Sequence, residues 1–221
     1  RAGGVLHTCV LAASRLKFSA THGALVPRPR GSFDTLARVA IRADPLTPPS
    51  AGRVLLAVDA VGLNFRDVLN VLGMYPGDPG PPGGDVAGTV LAAGAGTPFA
   101  VGDRVFGQAP GCLATAVLAP AASLAIMPPG LMAVDAATLP TAAATALECV
   151  RGAASGGVVL LHAAAGGLGL AATQVAALRG SSIVGTAGTP AKRALARRAP
   201  GALGALSSRD TAFADAVHIP P

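Results

Sequence analysis

An aliphatic, β-branched run, Val158-Val-Leu-Leu, ends at His162 and gives way to Ala163-Ala-Ala165-Gly166-Gly167-Leu168-Gly169. A helix-forming stretch follows through Leu178. Strand, tight turn and helix in that order can do one kind of chemistry. Small residues at the turn let a phosphate come close to the backbone, and the helix start offers unpaired N–H groups and a partial positive charge. Ala165, Gly166, Gly167, Leu168 and Gly169 would line that cradle. A glycine-rich turn is a weak signal alone, and a plain packing turn is the alternative. The next strand, Ile183 to Thr186, runs into Ala187-Gly-Thr189-Pro-Ala-Lys192-Arg193 with no acid. Two hydroxyls, Thr186 and Thr189, and two cations, Lys192 and Arg193, thus follow the turn. Exposed basic residues on a helix are the alternative there.

The rest of the chain must position these groups. Its 221 residues suffice for one large or two small domains. With 51% hydrophobic residues, no Trp and 3% aromatics, Ala, Val and Leu must fill the core. Charged residues at 13% argue against disorder despite 29 Gly and 19 Pro. The net charge of +6 is scattered except at Lys192-Arg193 and Arg197-Arg198. No aromatics interleave the cations, so a solvated face is favoured over nucleic-acid binding. Cys9, Cys112 and Cys149 form no C-x-x-C pair, which suits an intracellular reducing compartment, cytoplasm or plastid, and predicts no metal site. No stretch reads as membrane-spanning.

Read in order, Gly23 to Arg30 is extended and closed by prolines, and Arg42 to Gly52 is a Pro-rich loop. Val54–Val61 is a strand between glycines. Asn64 caps a helix over Phe65–Leu72 with Asp67 in its first turn. Tyr75–Gly84 is a Pro/Gly loop of the kind that carries sites. Asp85–Ala93 and Arg104–Gly107 are strands, and Cys112–Ile126 holds two apolar pieces split by Pro120. This much is β-rich and barrel-like. Helices are expected at 135–141 and 145–151. Strand 158–161, helix 168–178, strand 183–186, helix 190–198, a weak strand at 205–206 and helix 211–217 then open a doubly wound parallel sheet.

Several ordered motifs carry a resemblance. They are Gly62-Leu-Asn64-Phe65-Arg66-Asp67-Val-Leu69, Gly73-Met-Tyr75-Pro-Gly77, Gly83-Gly-Asp85-Val-Ala-Gly88, Val101-Gly-Asp-Arg-Val105, His162 to Gly169, and Ser207-Ser-Arg209-Asp210-Thr211. Together they resemble the enoyl reductase domain of type I polyketide synthases and animal-type fatty acid synthases. That domain is a zinc-free, quinone oxidoreductase-like member of the medium-chain dehydrogenase/reductases. The resemblance implies an α/β fold: a GroES-like β-rich domain over 23–135, after an unassigned 1–22. An incomplete Rossmann domain, a doubly wound parallel sheet, follows over 136–221. The sequence stops about halfway through that second unit, so a fragment of a larger synthase is expected, with an open sheet edge.

The implied reaction is reduction of a carrier-bound 2-enoyl thioester, with hydride arriving at the β carbon and a proton at the α carbon. The acid-free segment after the second strand favours NADPH over NADH. Lys192 and Asp210 match a proposed proton-donating or substrate-orienting pair in relatives. Lys192 could instead bind phosphate, and Asp210 could cap the helix near Thr211. Asn64, Phe65 and Tyr75 line the implied substrate cleft. Phe65 stands where some relatives carry tyrosine, so no donor exists there. Arg66 and Asp67 read as an ion pair or caps, Tyr75 more as loop packing than as a substrate contact, and His162 as a satisfied strand-end residue. Asp85 falls where zinc-dependent relatives hold an acid near metal. Implied partners are an acyl carrier protein, other synthase domains and a second copy in a homodimer. The alternatives are a free-standing NADPH quinone or enone reductase, and a non-catalytic reductase-like fragment.

Overall fold

A computed structural model describes residues 22–41, 47–153 and 155–217. The apolar run Val5–Ala13, Cys9 and part of the 42–52 loop lie outside the described residues. The chain divides into two compact units, one up to Thr141 and one from Ala142.

In the first unit, β1 (His22–Pro27) and β2 (Leu36–Ile41) form an antiparallel hairpin in the register His22↔Ile41 to Pro27↔Leu36. A five-stranded antiparallel sheet follows, built from β3 (Arg53–Gly62), β4 (Asp85–Ala93), β5 (Arg104–Gln108), β6 (Ala116–Pro120) and β7 (Leu124–Ile126). Its strand order is β6-β3-β4-β5-β7. The β-branched residues explain it: Val54, Val86, Val90 and Val105 are fully buried with Leu56 as its core. Each such side chain contributes about 1.5–3 kcal/mol by leaving water. Helix α1 (Phe65–Val71) sits between β3 and β4 in the chain.

Helices α2 (Ala133–Ala136) and α3 (Pro140–Val150) follow. Here the structure differs from the sequence reading. The break falls at 137–139, and one helix spans the gap expected at 142–144. Pro140 accounts for this, because proline suits the first helical position and obstructs a helix interior. The hairpin strand β2 was also not expected.

The second unit is a βαβαβ arrangement: β8 (Val158–Leu161), α4 (Gly167–Leu178), β9 (Ser182–Ala187), α5 (Pro190–Arg197) and β10 (Ala202–Ser207), then α6 (Ala212–Ala216). Its strands are parallel in the order β10-β9-β8. The core is Ala146, Val150, Ala172, Ala176 and Ile183, small side chains that let helices lie close to the sheet. Arg179 closes this core from the end of α4, donating through Nη1 to the carbonyls of Val150 (3.0 Å) and Arg151 (3.1 Å). A cation there also complements the negative end of α3. The expected β-rich domain followed by a parallel Rossmann-like sheet is what the chain forms. Among the described residues, no helix is long and apolar enough to cross a membrane.

Candidate functional site

The segments that follow β8, β9 and β10 carry the site residues expected in the second unit. The turn after β8 begins with Ala163 at φ +53°, a left-handed conformation unusual for a residue other than glycine. The Ala164 N–H donates to Thr186 O at 3.0 Å and the Gly166 N–H to Ala163 O at 2.9 Å. Gly166 is the N-cap of α4 and carries no side chain to satisfy the first helical N–H groups. Gly166, Gly167 and Leu168 are exposed, so that helix start faces solvent. Gly169 has a different task. It is buried, and a Cβ there would meet Ala163 O at 2.5 Å and Ala164 C at 2.7 Å. It lets the helix close on the turn, while Gly166 and Gly167 leave the turn open above it.

Thr186 is fully buried, and its Oγ1 lies 3.0 Å from His162 Nδ1. The His162 ring meets Phe213 of α6 edge to face, with centroids 5.1 Å apart. Both side chains are thus occupied with each other and with α6. Thr189 is the N-cap of α5 and accepts the Lys192 N–H at 3.3 Å. Arg193 Nη1 donates to Ala187 O at 3.2 Å, tying that guanidinium to the end of β9. Lys192 is exposed. Asp210 Oδ1 accepts the Ala212 N–H at 3.1 Å at the start of α6. Among the described residues no ion pair joins Lys192 to Asp210.

The sequence reading assigned nothing to Arg209. Its guanidinium lies over Gly188, where a Cβ would stand 2.2 Å from Nη2 and 2.6 Å from Nε. An exposed cation therefore fills the space that the missing side chain leaves, at the end of the second parallel strand. The signal in the sequence was Gly188 itself, between Ala187 and Thr189, but it does not say what fills the space.

In the first unit, two of the expected substrate residues, Asn64 and Phe65, stand at the start of α1. Asn64 precedes it as N-cap and forms a capping box with Asp67, while its amide also donates to Asp85 Oδ2 at 3.0 Å. Asp67 supplies its half of the box by accepting the Asn64 N–H through Oδ2 at 2.9 Å. Its other oxygen accepts the Gly83 N–H at 2.8 Å. Gly83 has φ +97°, and a Cβ there would stand 2.4 Å from Leu113 N. Phe65 is 73% exposed. Arg66 forms no ion pair among the described residues but stacks over the half-buried Tyr75, 5.0 Å from the ring centroid.

Asp85 is 2% exposed. It accepts the Thr141 hydroxyl at 2.6 Å and the Thr141 N–H at 3.2 Å to each oxygen, besides the Asn64 amide. Gln108 Nε2 donates on to Thr141 Oγ1 at 3.0 Å. The carboxylate is therefore fully engaged as a hydrogen-bond acceptor. Cys112 Sγ donates to Asp85 O at 3.3 Å, and burial, then Asp67 and Asp85, push its thiol up to about 12. Among the described residues no group of three or more His, Cys, Asp or Glu could hold a metal.

Residues 50–133 match the alcohol dehydrogenase GroES-like domain. The chain is 43% identical over 169 residues to the pikromycin polyketide synthase component PikAII of Streptomyces venezuelae, covering 74% of this chain and 4% of that synthase. Among solved structures it is similar to the CurK enoyl reductase, with a TM-score of 0.79 and 31% identity over 89% of this chain and 62% of that one. The Escherichia coli quinone oxidoreductase complexed with NADPH is similar at TM-score 0.72 and 27% identity, over 88% of this chain and 61% of that one. The chain thus spans a small part of the synthase and about three-fifths of the solved structures. The GroES-like match and these likenesses identify the chain as an enoyl reductase-like domain of the medium-chain dehydrogenase/reductase family, similar to those of polyketide synthases.

Proposed function

We propose that the chain is the NADPH-dependent enoyl reductase of a polyketide synthase, acting on a 2-enoyl thioester held by an acyl carrier protein. The observation that carries the reading is the charge at the ends of the parallel strands. β9 ends without an acid, the exposed Arg209 lies over Gly188, and Lys192 is exposed in α5, which follows β9. An acid at this position would hold ribose hydroxyls and repel a 2′-phosphate; cations do the reverse. The residues fit the cofactor. The helix start at Gly166 has no side-chain cap, and a Cβ at Gly167 would find no atom within 4 Å. The pyrophosphate would lie against Ala165 to Leu168, and the 2′-phosphate would meet Thr189, Lys192 and Arg209, with Arg193 beside them.

NADPH, when bound, supplies the hydride for the β carbon. The protein's own groups orient and protonate. In the first unit, the Asn64 amide is fixed by Asp85, and Tyr75 offers the only phenolic hydroxyl of the chain. Phe65 offers an apolar face and no proton. Lys192 and Asp210 remain the candidates for the proton step. Lys192 is better placed for phosphate, because Asp210 holds the α6 backbone. The similarity to quinone oxidoreductases supports a second reading, reduction of a free quinone.

One experiment separates these readings: NADPH oxidation measured with a crotonyl-pantetheine thioester and, separately, with a simple quinone. Turnover of the thioester is expected; turnover of the quinone alone would overturn the enoyl reductase reading. A Lys192→Ala variant is expected to raise the Michaelis constant for NADPH about tenfold with kcat nearly unchanged. A fall in kcat instead would move Lys192 to the proton step.

A further inference from the structure

The Pro/Gly loop that carries Tyr75 is tethered at both ends to α1. The Met74 and Tyr75 N–H groups donate to Leu69 O at 2.8 and 3.2 Å, and the Gly83 N–H donates to Asp67. Between these ends the loop has little with which to hold itself. Pro76, Pro79, Pro81 and Pro82 have no N–H to donate. Among the described residues, the hydrogen bonds that fix residues 76–81 from outside the loop all fall on Asp78 and Gly80.

Those bonds come from one cation and one buried amide. Arg30, in the bend after β1, donates through Nη2 to Gly80 O at 2.9 Å and lies 3.4 Å from Asp78 Oδ1. Its Nε donates to Asn70 Oδ1 at 3.0 Å. Asn70, on α1 and 3% exposed, donates its own amide to Gly80 O at 3.1 Å. Asp78 Oδ1 accepts the Gly80 N–H at 3.0 Å, so both backbone groups of Gly80 are held. The Arg30 backbone is fixed in turn, since the next N–H, of Gly31, donates to Val71 O at 2.9 Å. The planar fork of a guanidinium binds a helix side chain and a loop carbonyl from separate nitrogens in fixed geometry; an ammonium has only one nitrogen from which to reach both.

We propose that Arg30 is a positioning residue: it clasps the 75–82 loop to α1 and thereby sets where Tyr75 stands toward the acyl substrate. The second half of this statement rests on the substrate-facing reading of Tyr75 given above.

The test uses the full chain with Arg30→Met, Arg30→Lys and, as a control, Asp78→Asn, read by backbone amide exchange and by thioester kinetics. In Arg30→Met, the Gly80 amide is expected to exchange about tenfold faster, the effect of one lost hydrogen bond of ordinary net strength. The Michaelis constant for crotonyl-pantetheine is expected to rise about threefold or more, with kcat and the NADPH constant nearly unchanged. Arg30→Lys is expected to fall between wild type and Arg30→Met, and it carries the test if the methionine variant does not fold. Asp78→Asn, whose side chain is 84% exposed, keeps an acceptor for Gly80 and leaves the Arg30 bonds to Gly80 and Asn70, so it is expected to keep the wild-type thioester constant. Unchanged Gly80 exchange in Arg30→Met would overturn the clasp. Faster exchange with an unchanged thioester constant would overturn the positioning role while leaving the clasp. Absence of thioester turnover in the wild type would overturn the enoyl reductase reading, and the exchange data would still decide the clasp.

Discussion

Replacing Asp85 by Ala removes the acceptor for Asn64 Nδ2, for Thr141 Oγ1 and for the Thr141 N–H, at 3.0, 2.6 and 3.2 Å. Hydrogen bonds to a charged group contribute about 1.5–3 kcal/mol each, so simple addition for these donors would give ~5–9 kcal/mol. That sum is too large. Asn64 is only half-buried and its amide can turn to water. The Thr141 hydroxyl keeps its bond from Gln108. The backbone N–H of Thr141, in the first turn of α3, has no replacement acceptor. The expected loss is therefore about 2–4 kcal/mol, a large share of the 5–15 kcal/mol typical of a folded domain. Asp85→Asn keeps one oxygen for Thr141 but sets one amide NH2 against that of Asn64. It should cost about half as much as the alanine change. Urea titration followed by circular dichroism measures both, with a lowered midpoint and an unchanged slope expected. A cost below about 1 kcal/mol for alanine, or equal costs for the two variants, would refute the reasoning.

Gly167→Ala and Gly169→Ala should separate packing from cofactor approach. A Cβ at Gly167 finds open space, so that variant should fold at least as stably and bind NADPH more weakly. A Cβ at Gly169 strikes backbone at 2.5 Å, so that variant should lose about 1–3 kcal/mol in thermal unfolding. Buried Cys112 should resist iodoacetamide at pH 8 while exposed Cys149 reacts, as peptide mass mapping would show. The Cys112 thiol ionises near 9.0 when unfolded and near 12 when folded, so the unfolded chain holds fewer protons between those values. Stability should fall as pH rises from about 9 toward 12, by up to ~1.4 kcal/mol per unit, and Cys112→Ala should remove that slope.

Much of this architecture is legible in the sequence because glycine and proline punctuate it. Val54–Val61 lies between Gly52 and Gly62, and β3 covers Arg53–Gly62. The Asp85–Ala93 strand matches β4 at both ends. The glycine turn after Leu161 announces α4 within a residue of its start. The alanine-rich stretch 133–150 was read less well, since alanine alone gives no apolar period from which to place a helix break; Pro140 decided it. β2 went unread because its pattern, Leu36-Ala-Arg-Val-Ala-Ile41, is short and Ala-diluted, and only its pairing with β1 stabilises it. At the candidate site the partnerships of the side chains were not legible. Asp85 and Thr141 are 56 positions apart, and nothing local links them. Thr186 has a hydroxyl suited to a ligand, but the fold turns it to His162. Asn64 was expected as the helix cap and is one, but nothing local announced that its amide would also donate to Asp85.

On the proposed function, Lys192 and Arg209 make the βαβαβ unit select the phosphorylated ribose of NADPH. That selection is tested most directly by calorimetric titration of the chain with 2′,5′-ADP and with 5′-ADP. 2′,5′-ADP is expected to bind about tenfold or more tightly than 5′-ADP, and the preference is expected to vanish in the Lys192→Ala, Arg209→Ala double variant. Equal affinity for the two nucleotides, or a preference that survives the double variant, would contradict it.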